Sequence, residues 1–210
     1  MSIYGLKKIY TPLFPDSQLH HPYPKTRSGG SSEFDIFPYD NKPHSAYHVI
    51  FMNLKIDEIW RMLDIIYNDI FEWHGDKMTQ WWLGFCRLDR GNESKKSSFE
   101  KSRREKLARR IDINLLQQKW KIAFGDTEIE TARCFLKLMM FFMIFGTKIL
   151  NRSFMSNEDN IIEFFKTNPC KGRRLWCFKI CFGNKANTQS ISDELDLIIG
   201  KFGSYAKVLR

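Results

Sequence analysis

The sequence lacks the motifs that mark common catalytic sites. It contains no G-x-S-x-G, P-loop, G-x-G-x-x-G or H-E-x-x-H pattern. No motif pairs its histidines with a nucleophile; they are His20, His21, His44, His48 and His74. We therefore expect a protein that is not an enzyme and needs no cofactor. A metal-free nuclease using His48 or His74 is the weaker alternative, because it needs a second acid or base within hydrogen-bond reach.

A long hydrophobic run is also missing. The most apolar stretch, residues 138–145 (LMMFFMIF), has eight residues, whereas a membrane-spanning helix needs about 20. The first residues, MSIYGLKKIYTPLF, show neither the apolar region nor the cleavage site of a signal peptide. We expect a protein that is neither secreted nor transmembrane and that touches a membrane only at its face.

Paired cysteine knuckles are absent as well. The five cysteines are Cys86, Cys134, Cys170, Cys177 and Cys181. An odd number without a signal peptide is typical of free thiols in a reducing compartment. The cysteines of CKGRRLWCFKIC are seven and four residues apart, whereas a zinc site typically has two pairs of closely spaced cysteines. We predict free structural thiols at Cys170, Cys177 and Cys181, and no metal site.

What the sequence does contain is a folded composition with excess positive charge. Of 210 residues, 43% are hydrophobic and 15% aromatic, which is typical of a packed core. Lys and Arg number 33 against 24 Asp and Glu, which leaves a net charge of +9. Such a balance favours anionic partners.

The positive charge is concentrated in residues 95–110, KKSSFEKSRREKLARR. Eight Lys or Arg stand against two Glu there, so this stretch holds six of the nine net charges. Three interpretations of this stretch are open: a surface that binds nucleic acid, a surface that binds an anionic membrane, and a solvated helix face. A solvated helix face would normally alternate positive and negative charges at i,i+4. We predict a surface that recognises charge density, formed by Lys95, Lys96, Lys101, Arg103, Arg104, Lys106, Arg109 and Arg110.

Proline divides the chain. Six of the seven prolines fall in residues 1–43, together with a Gly-Gly-Ser-Ser run, which predicts a flexible arm before a single core at 44–210. The arm begins with a second basic cluster, YGLKKIY, which contains Lys7 and Lys8. Within HPYP, Pro22, Tyr23 and Pro24 are candidates for recruiting a partner.

Two stretches of the core predict β-α-β units. The first has strands at 47–54 and 77–88 around an amphipathic helix at 55–73. The second has strands at 173–182 and 204–210 around a helix with Ser190 as N-cap and Gly200 as its stop. Together they predict an α+β fold in which the two halves form one sheet.

A helical middle segment, residues 97–168, separates the two halves. Ser97 with Glu100, and Thr127 with Glu130, can form capping boxes. The second of these helices is apolar nearly all round from Leu136, so we expect it to be buried in this core or against another chain. Residues 157–167 predict a third helix.

The layout resembles that of the rhabdovirus matrix proteins. The resemblance rests on LKKI at 6–9, on YHVIFMNL followed by a helix ending IYNDIFEWHGDKMTQWWLGF, and on KGRRLWCFKIC at 171–181. The resemblance covers much of residues 1–90 and 170–182, and it lies in the pattern of residue types and not in sequence identity. The budding motif of that family, P-P-x-Y, is absent; only HPYP and FPYD stand nearby.

The resemblance implies a non-enzymatic protein that self-associates, lies on the inner face of an anionic membrane and condenses a ribonucleoprotein. Its partners would be copies of itself, the membrane, viral nucleocapsid or RNA bound without sequence specificity, and host budding factors. Its place would be the virion and the host cytoplasm. The alternative is a ferredoxin-like RNA-binding module similar to those of CRISPR effector complexes, with the turns FGTK and KFGS.

Overall fold

The computed structural model is rich in helix and contains one small sheet. It describes residues 2–24, 29–30, 32–51, 54–69, 113–183 and 188–209. The strands β1 (Ser17–His20) and β2 (Phe37–Asp40) pair antiparallel, and 3-10 turns occupy Glu33–Asp35 and Gly146–Leu150. The helices of the described residues are α1 (Ile3–Leu13), α2 (Asn41–Phe51), α3 (Ile56–Asp69), α4 (Ile113–Phe124), α5 (Ile129–Phe145), α6 (Arg152–Met155), α7 (Glu158–Thr167), α8 (Arg173–Phe182), α9 (Thr188–Ile199) and α10 (Gly203–Leu209).

Helix α5 lies at the centre of the core. All of its residues from Leu138 to Phe145 are buried, because a helix that is apolar on every side must be covered on every side. It contacts α3, α4, α8, α9 and β2. The predicted burial of this helix is confirmed, and this chain's own elements provide the cover.

The start of α5 differs from the predicted capping box at Thr127 and Glu130. Its N-cap is Glu128, whose side chain makes no capping hydrogen bond. The carboxylate of Asp126 instead accepts from the Glu128 backbone N–H and from the Thr131 hydroxyl, both at 2.8 Å. A charged carboxylate is a stronger acceptor than a neutral hydroxyl, so the prediction of Thr127 as the cap was wrong.

Helices predicted from the 3.6-residue period are confirmed within the described residues. The helix predicted at 55–73 is α3, and the one predicted at 157–167 is α7. In α9 the predicted apolar face is buried, and the helix ends before Gly200 as expected. Ser190 is not its N-cap, because the helix begins at Thr188.

The first predicted strand, 47–54, is wrong because residues up to Phe51 belong to α2. Tyr, Val, Ile and Phe favour strands only weakly, and packing decides. The buried positions Ala46, Tyr47, Ile50 and Phe51 recur at helical spacing. They face α4, where the Phe51 ring lies 5.7 Å from that of Trp120.

The strands predicted near the other end are also helices. Residues 173–182 form α8, and 203–209 form α10. The alternating aromatics of α8 are only partly buried, whereas Cys177 and Cys181, four residues apart, face α5. The predicted strand at 77–88 and the capped helix at Ser97 lie outside the described residues. The sheet of two β-α-β halves is therefore replaced, where the chain is described, by helices and one hairpin.

The described part of residues 1–43 belongs to the core and does not extend from it as an arm. On α1, Leu6 and Tyr10 are buried, and the Tyr10 ring lies 6.0 Å from that of Phe142 in α5. On β2, Phe37 stacks on Tyr205 of α10, with ring centroids 5.3 Å apart. The proline-rich composition was misleading because apolar residues between the prolines supply anchors that the arm prediction did not count.

Hydrogen bonds fix the hairpin between the other elements. The Tyr205 hydroxyl donates to the Pro38 carbonyl at 2.6 Å, and the Tyr39 hydroxyl donates to the Ala123 carbonyl at 3.0 Å. Helix α2 begins at Asn41, directly after β2. As a result α2 folds back across the hairpin, and this contact between β1 and α2 creates the site described next.

Candidate functional site

Three histidines meet where β1 crosses α2. Side chains of alternate strand residues share a face, which places Gln18 and His20 of β1 on the same side. Residues four apart on a helix also share a face, which places His44 and His48 of α2 together. The hairpin turns these two faces toward each other. We call His20, His44 and His48 the histidine cluster.

The ring nitrogens of the cluster converge on one point. His20 Nδ1 lies 3.0 Å from His44 Nε2, and His48 Nε2 lies 2.8 Å from the same atom. One nitrogen atom of each of the three rings lies within 4.8 Å of the other two. A single cation placed at this point would be within reach of all three imidazoles.

Gln18 orients the central ring of the cluster. His44 Nδ1 lies 3.1 Å from Gln18 Oε1, an acceptor, so Nδ1 carries the proton and donates it. His44 Nε2 is then a lone-pair acceptor that faces the other two rings. Two nitrogens approach this one lone pair, which can accept only one well-directed in-plane hydrogen bond. The nitrogens of His20 and His48 therefore compete for one acceptor position on His44.

The environment keeps two of these rings neutral. His20 is 3% exposed. Burial, followed by the nearby His44 and His48, lowers the pKa of His20 well below its usual value. Burial and His48 lower the pKa of His44 from 6.5 to about 4. Neutral imidazole is the form that binds metal ions, because its nitrogen lone pair is available.

The cluster extends from the core to the surface. His20 packs edge-on against Tyr39 and Tyr47, with ring centroids 5.8 and 5.0 Å away. Its Nε2 is buried and has no hydrogen-bond partner in the described part of the chain. His44 is half-buried and His48 is exposed. The exposed end gives solvent and small ligands access to the converging nitrogens.

The histidine cluster was missed in the sequence, and a signal for it was present. The pattern H-x-x-x-H at 44–48 places two histidines on one face of a helix, an arrangement that recurs in zinc sites. The predicted strand at 47–54 hid this pattern because it placed His48 at a strand edge. The contribution of His20, 24 residues before His44, depends on the tertiary contact and has no local signal.

The predicted basic residues are only partly described. Lys7 and Lys8 are exposed on α1, so they lie on an ordered helix face. Lys8 Nζ lies 4.9 Å from the centre of the exposed Tyr4 ring. The remaining members of the predicted surface, Lys95, Lys96, Lys101, Arg103, Arg104, Lys106, Arg109 and Arg110, lie outside the described residues.

The HPYP segment is not an exposed recruiting motif in this structure. Pro22 and Tyr23 are buried, and the Pro22 carbonyl accepts from the Ile56 backbone N–H at 3.0 Å. The Arg173 guanidinium lies over the Tyr23 ring at 4.5 Å. A binding groove on another protein could not reach Pro22 and Tyr23 without opening this packing, which corrects the prediction for them.

Four cysteines are described, and all four are free thiols. Cys177 and Cys181 lie in α8, where their sulfur atoms contact Met143 and Met140 of α5 at 3.8 and 4.0 Å. Burial raises the pKa of both thiols. Two buried thiols packed on thioether sulfurs are core side chains, as predicted for these two residues.

Comparison with protein-family models, with curated proteins and with solved structures found no match to this chain. Two of the places that carry the matrix-protein resemblance, 47–51 and 173–181, are helical in the structure. That resemblance stays a prediction. Among the helices of the described residues, none has the length and apolar character needed to cross a membrane.

Proposed function

We propose that this chain is a non-enzymatic, matrix-type protein that binds the inner face of an anionic membrane through clustered positive charge. In this proposal it also self-associates and bridges the membrane to ribonucleoprotein, in the virion and the host cytoplasm. The observation that carries the proposal is the concentration of six of nine net charges in residues 95–110. Each basic group near an anionic leaflet contributes on the order of 1 kcal/mol.

The outward face of α1 supports a lipid target. Tyr4 is 68% exposed, and the exposed cations Lys7 and Lys8 lie on the same face of the helix. Aromatic and apolar side chains beside basic ones favour the interface between headgroups and acyl chains. An RNA target would use the same positive charge.

Vesicle flotation of the full chain tests the proposal. We expect flotation with vesicles that contain phosphatidylserine and none with phosphatidylcholine alone. Reversing Arg103, Arg104, Arg109 and Arg110 to Glu should abolish flotation, because the target is recognised by charge. The melting temperature should stay nearly unchanged, since exposed charges contribute little to stability. The double variant Lys7→Glu and Lys8→Glu should weaken flotation.

A matched control separates local charge from net charge. The double variant Lys166→Glu and Lys201→Glu changes the net charge by as much as the α1 double variant, at two other exposed lysines. It should float like the wild type. If all reversed variants float like the wild type, the basic stretch is a solvated helix face and the proposal is wrong.

An RNA shift assay at matched salt distinguishes the alternative. If RNA is the target and four to six basic residues contact a single strand, the affinity should fall with log salt at a slope of roughly −3 to −4. RNA binding with that slope, together with no flotation on anionic vesicles, would favour the RNA-binding module over the membrane protein.

A further inference from the structure

We propose that His20, His44 and His48 form a binding site for a divalent transition-metal ion of the zinc class. This inference is independent of the proposed membrane function. It rests on the convergence of three ring nitrogens that come from two different elements, β1 and α2. Three imidazoles plus a water or other ligand form one of the common coordination sets of Zn²⁺.

Two of the three nitrogen–nitrogen distances in the cluster are close to those around such an ion. Tetrahedral coordination with Zn–N bonds of about 2.0–2.1 Å places the ligand nitrogens about 3.3 Å apart. The two short nitrogen–nitrogen distances in the cluster are 3.0 and 2.8 Å. The His44 nitrogen therefore needs to move a few tenths of an ångström away from the other two, and the third pair of nitrogens, which lies within 4.8 Å, needs to reach the same spacing. His48 is the exposed member of the cluster, so its ring has the most room to adjust.

The surroundings of the cluster also fit a metal site. Metal-binding histidines commonly donate their second N–H to a carbonyl or carboxylate, which fixes the ring. The His44 Nδ1–H donates to the Gln18 side-chain carbonyl in this way. A metal ion would also use all three converging nitrogens, whereas hydrogen bonds among the rings cannot.

The donor set indicates which ions are bound. The cluster offers three imidazole nitrogens and no carboxylate. Imidazole suits Zn²⁺, Cu²⁺ and Ni²⁺, whereas Mg²⁺ and Ca²⁺ prefer oxygen ligands. Three protein ligands leave at least one position for water or for a ligand from outside. The ion would also link β1 to α2 and so stabilise the hairpin against the helix.

Titration of the chelator-treated full chain with Zn²⁺, followed by calorimetry and thermal unfolding, tests the site. We expect one Zn²⁺ per chain, a rise in melting temperature on binding, and no response to Mg²⁺ at the same concentration. His44→Gln and His48→Gln should each weaken binding at least about 100-fold, and Gln18→Ala should weaken it by about 10- to 100-fold.

His21→Gln is the matched control. His21 adjoins His20 in the chain, but its Nδ1 contacts the Gly30 carbonyl at 3.1 Å and it is not part of the cluster. This variant should bind Zn²⁺ like the wild type. Circular dichroism of His48→Gln should match the wild type because His48 is exposed, so its loss of binding would report on the ligand and not on folding.

Three outcomes would overturn the site. One is wild-type protein that binds no Zn²⁺, and another is His44→Gln protein that binds as tightly as the wild type. The third is loss of binding in Cys170→Ser together with unchanged binding in His44→Gln, because the ion would then sit on a thiolate. Co²⁺ gives an independent check, since a histidine-only site shows no thiolate-to-metal charge-transfer band.

Discussion

At the scale of single residues, burial decides the chemical state of the titratable groups. His20 and His44 are held neutral because the hairpin and α2 remove them from water. The thiols of Cys177 and Cys181 are held protonated for the same reason. No neighbouring residue in the sequence predicts either state. Both follow from which elements pack together.

The neutral histidines predict a loss of stability in acid for the metal-free protein. Their folded-state pKa values lie below the unfolded value of 6.5, and that of His44 is about 4. Below pH 6.5 the unfolded chain therefore binds more protons than the folded chain. The stabilisation is fully present above pH 6.5 and is lost as the pH falls toward 4.

Urea unfolding in chelator at several pH values measures this dependence. We expect the free energy of unfolding of His44→Gln to fall less steeply than that of the wild type between pH 6.5 and 4. The difference in slope should correspond to at most one bound proton. Equal slopes for wild type and His44→Gln would show that the ring of His44 is not shielded as the structure has it.

At the scale of elements, glycines with positive φ end α5 and α8. Gly146 after α5 and Gly183 after α8 have nearly the same backbone conformation, with φ of 58° and 65° and ψ of −137° and −142°. A Cβ at Gly183 would meet nothing within 4 Å. At Gly146 it would lie 2.8 Å from Glu33 Cγ and 3.0 Å from Phe34 Cε1.

This pair separates backbone strain from crowding. Both Gly→Ala variants carry a backbone cost of about 1–3 kcal/mol. Gly146→Ala should cost about 1–3 kcal/mol more, because overpacking adds to the strain. Glu33 cannot move away easily, since its Oε2 accepts from the Thr147 hydroxyl at 2.6 Å and from the Thr147 N–H at 3.1 Å. Urea unfolding of the two variants gives the difference, and equal losses would contradict the contact.

At the scale of the whole molecule, the described part of the first forty residues belongs to the core. This segment adds Leu6, Tyr10, Phe14, Phe37 and Tyr39 to one continuous hydrophobic core. A fragment that starts after residue 43 would expose the surfaces that these side chains cover. The stability of the core therefore depends on a segment that its proline content had indicated to be a flexible arm.

Two tyrosines of α1 test this dependence. Tyr10 is 1% exposed and Tyr4 is 68% exposed. Tyr10→Ala should lower the free energy of unfolding by about 3–5 kcal/mol, the usual cost of removing a large buried ring. Tyr4→Ala should change it by less than about 1 kcal/mol. Similar small effects at both positions in urea unfolding would show that α1 is not packed on the core.

The sequence alone determined the features that depend on local period and composition. The buried helix α5 follows from a run that is apolar on every side, and α3, α7 and α9 follow from apolar residues at helical spacing. These patterns suffice because the backbone hydrogen bonds of a helix join residues four apart, so the period of the apolar residues can be recognised within one segment.

Only the tertiary structure decided the rest. Residues 47–51 and 173–182 are rich in β-branched and aromatic side chains, and such stretches become helix or strand according to what they pack against. The same packing against α4 made residues 44–48 helical and brought His44 and His48 onto one face. The closure of β1 on α2 then added His20, because contacts between residues far apart in the chain form only once the elements have folded together.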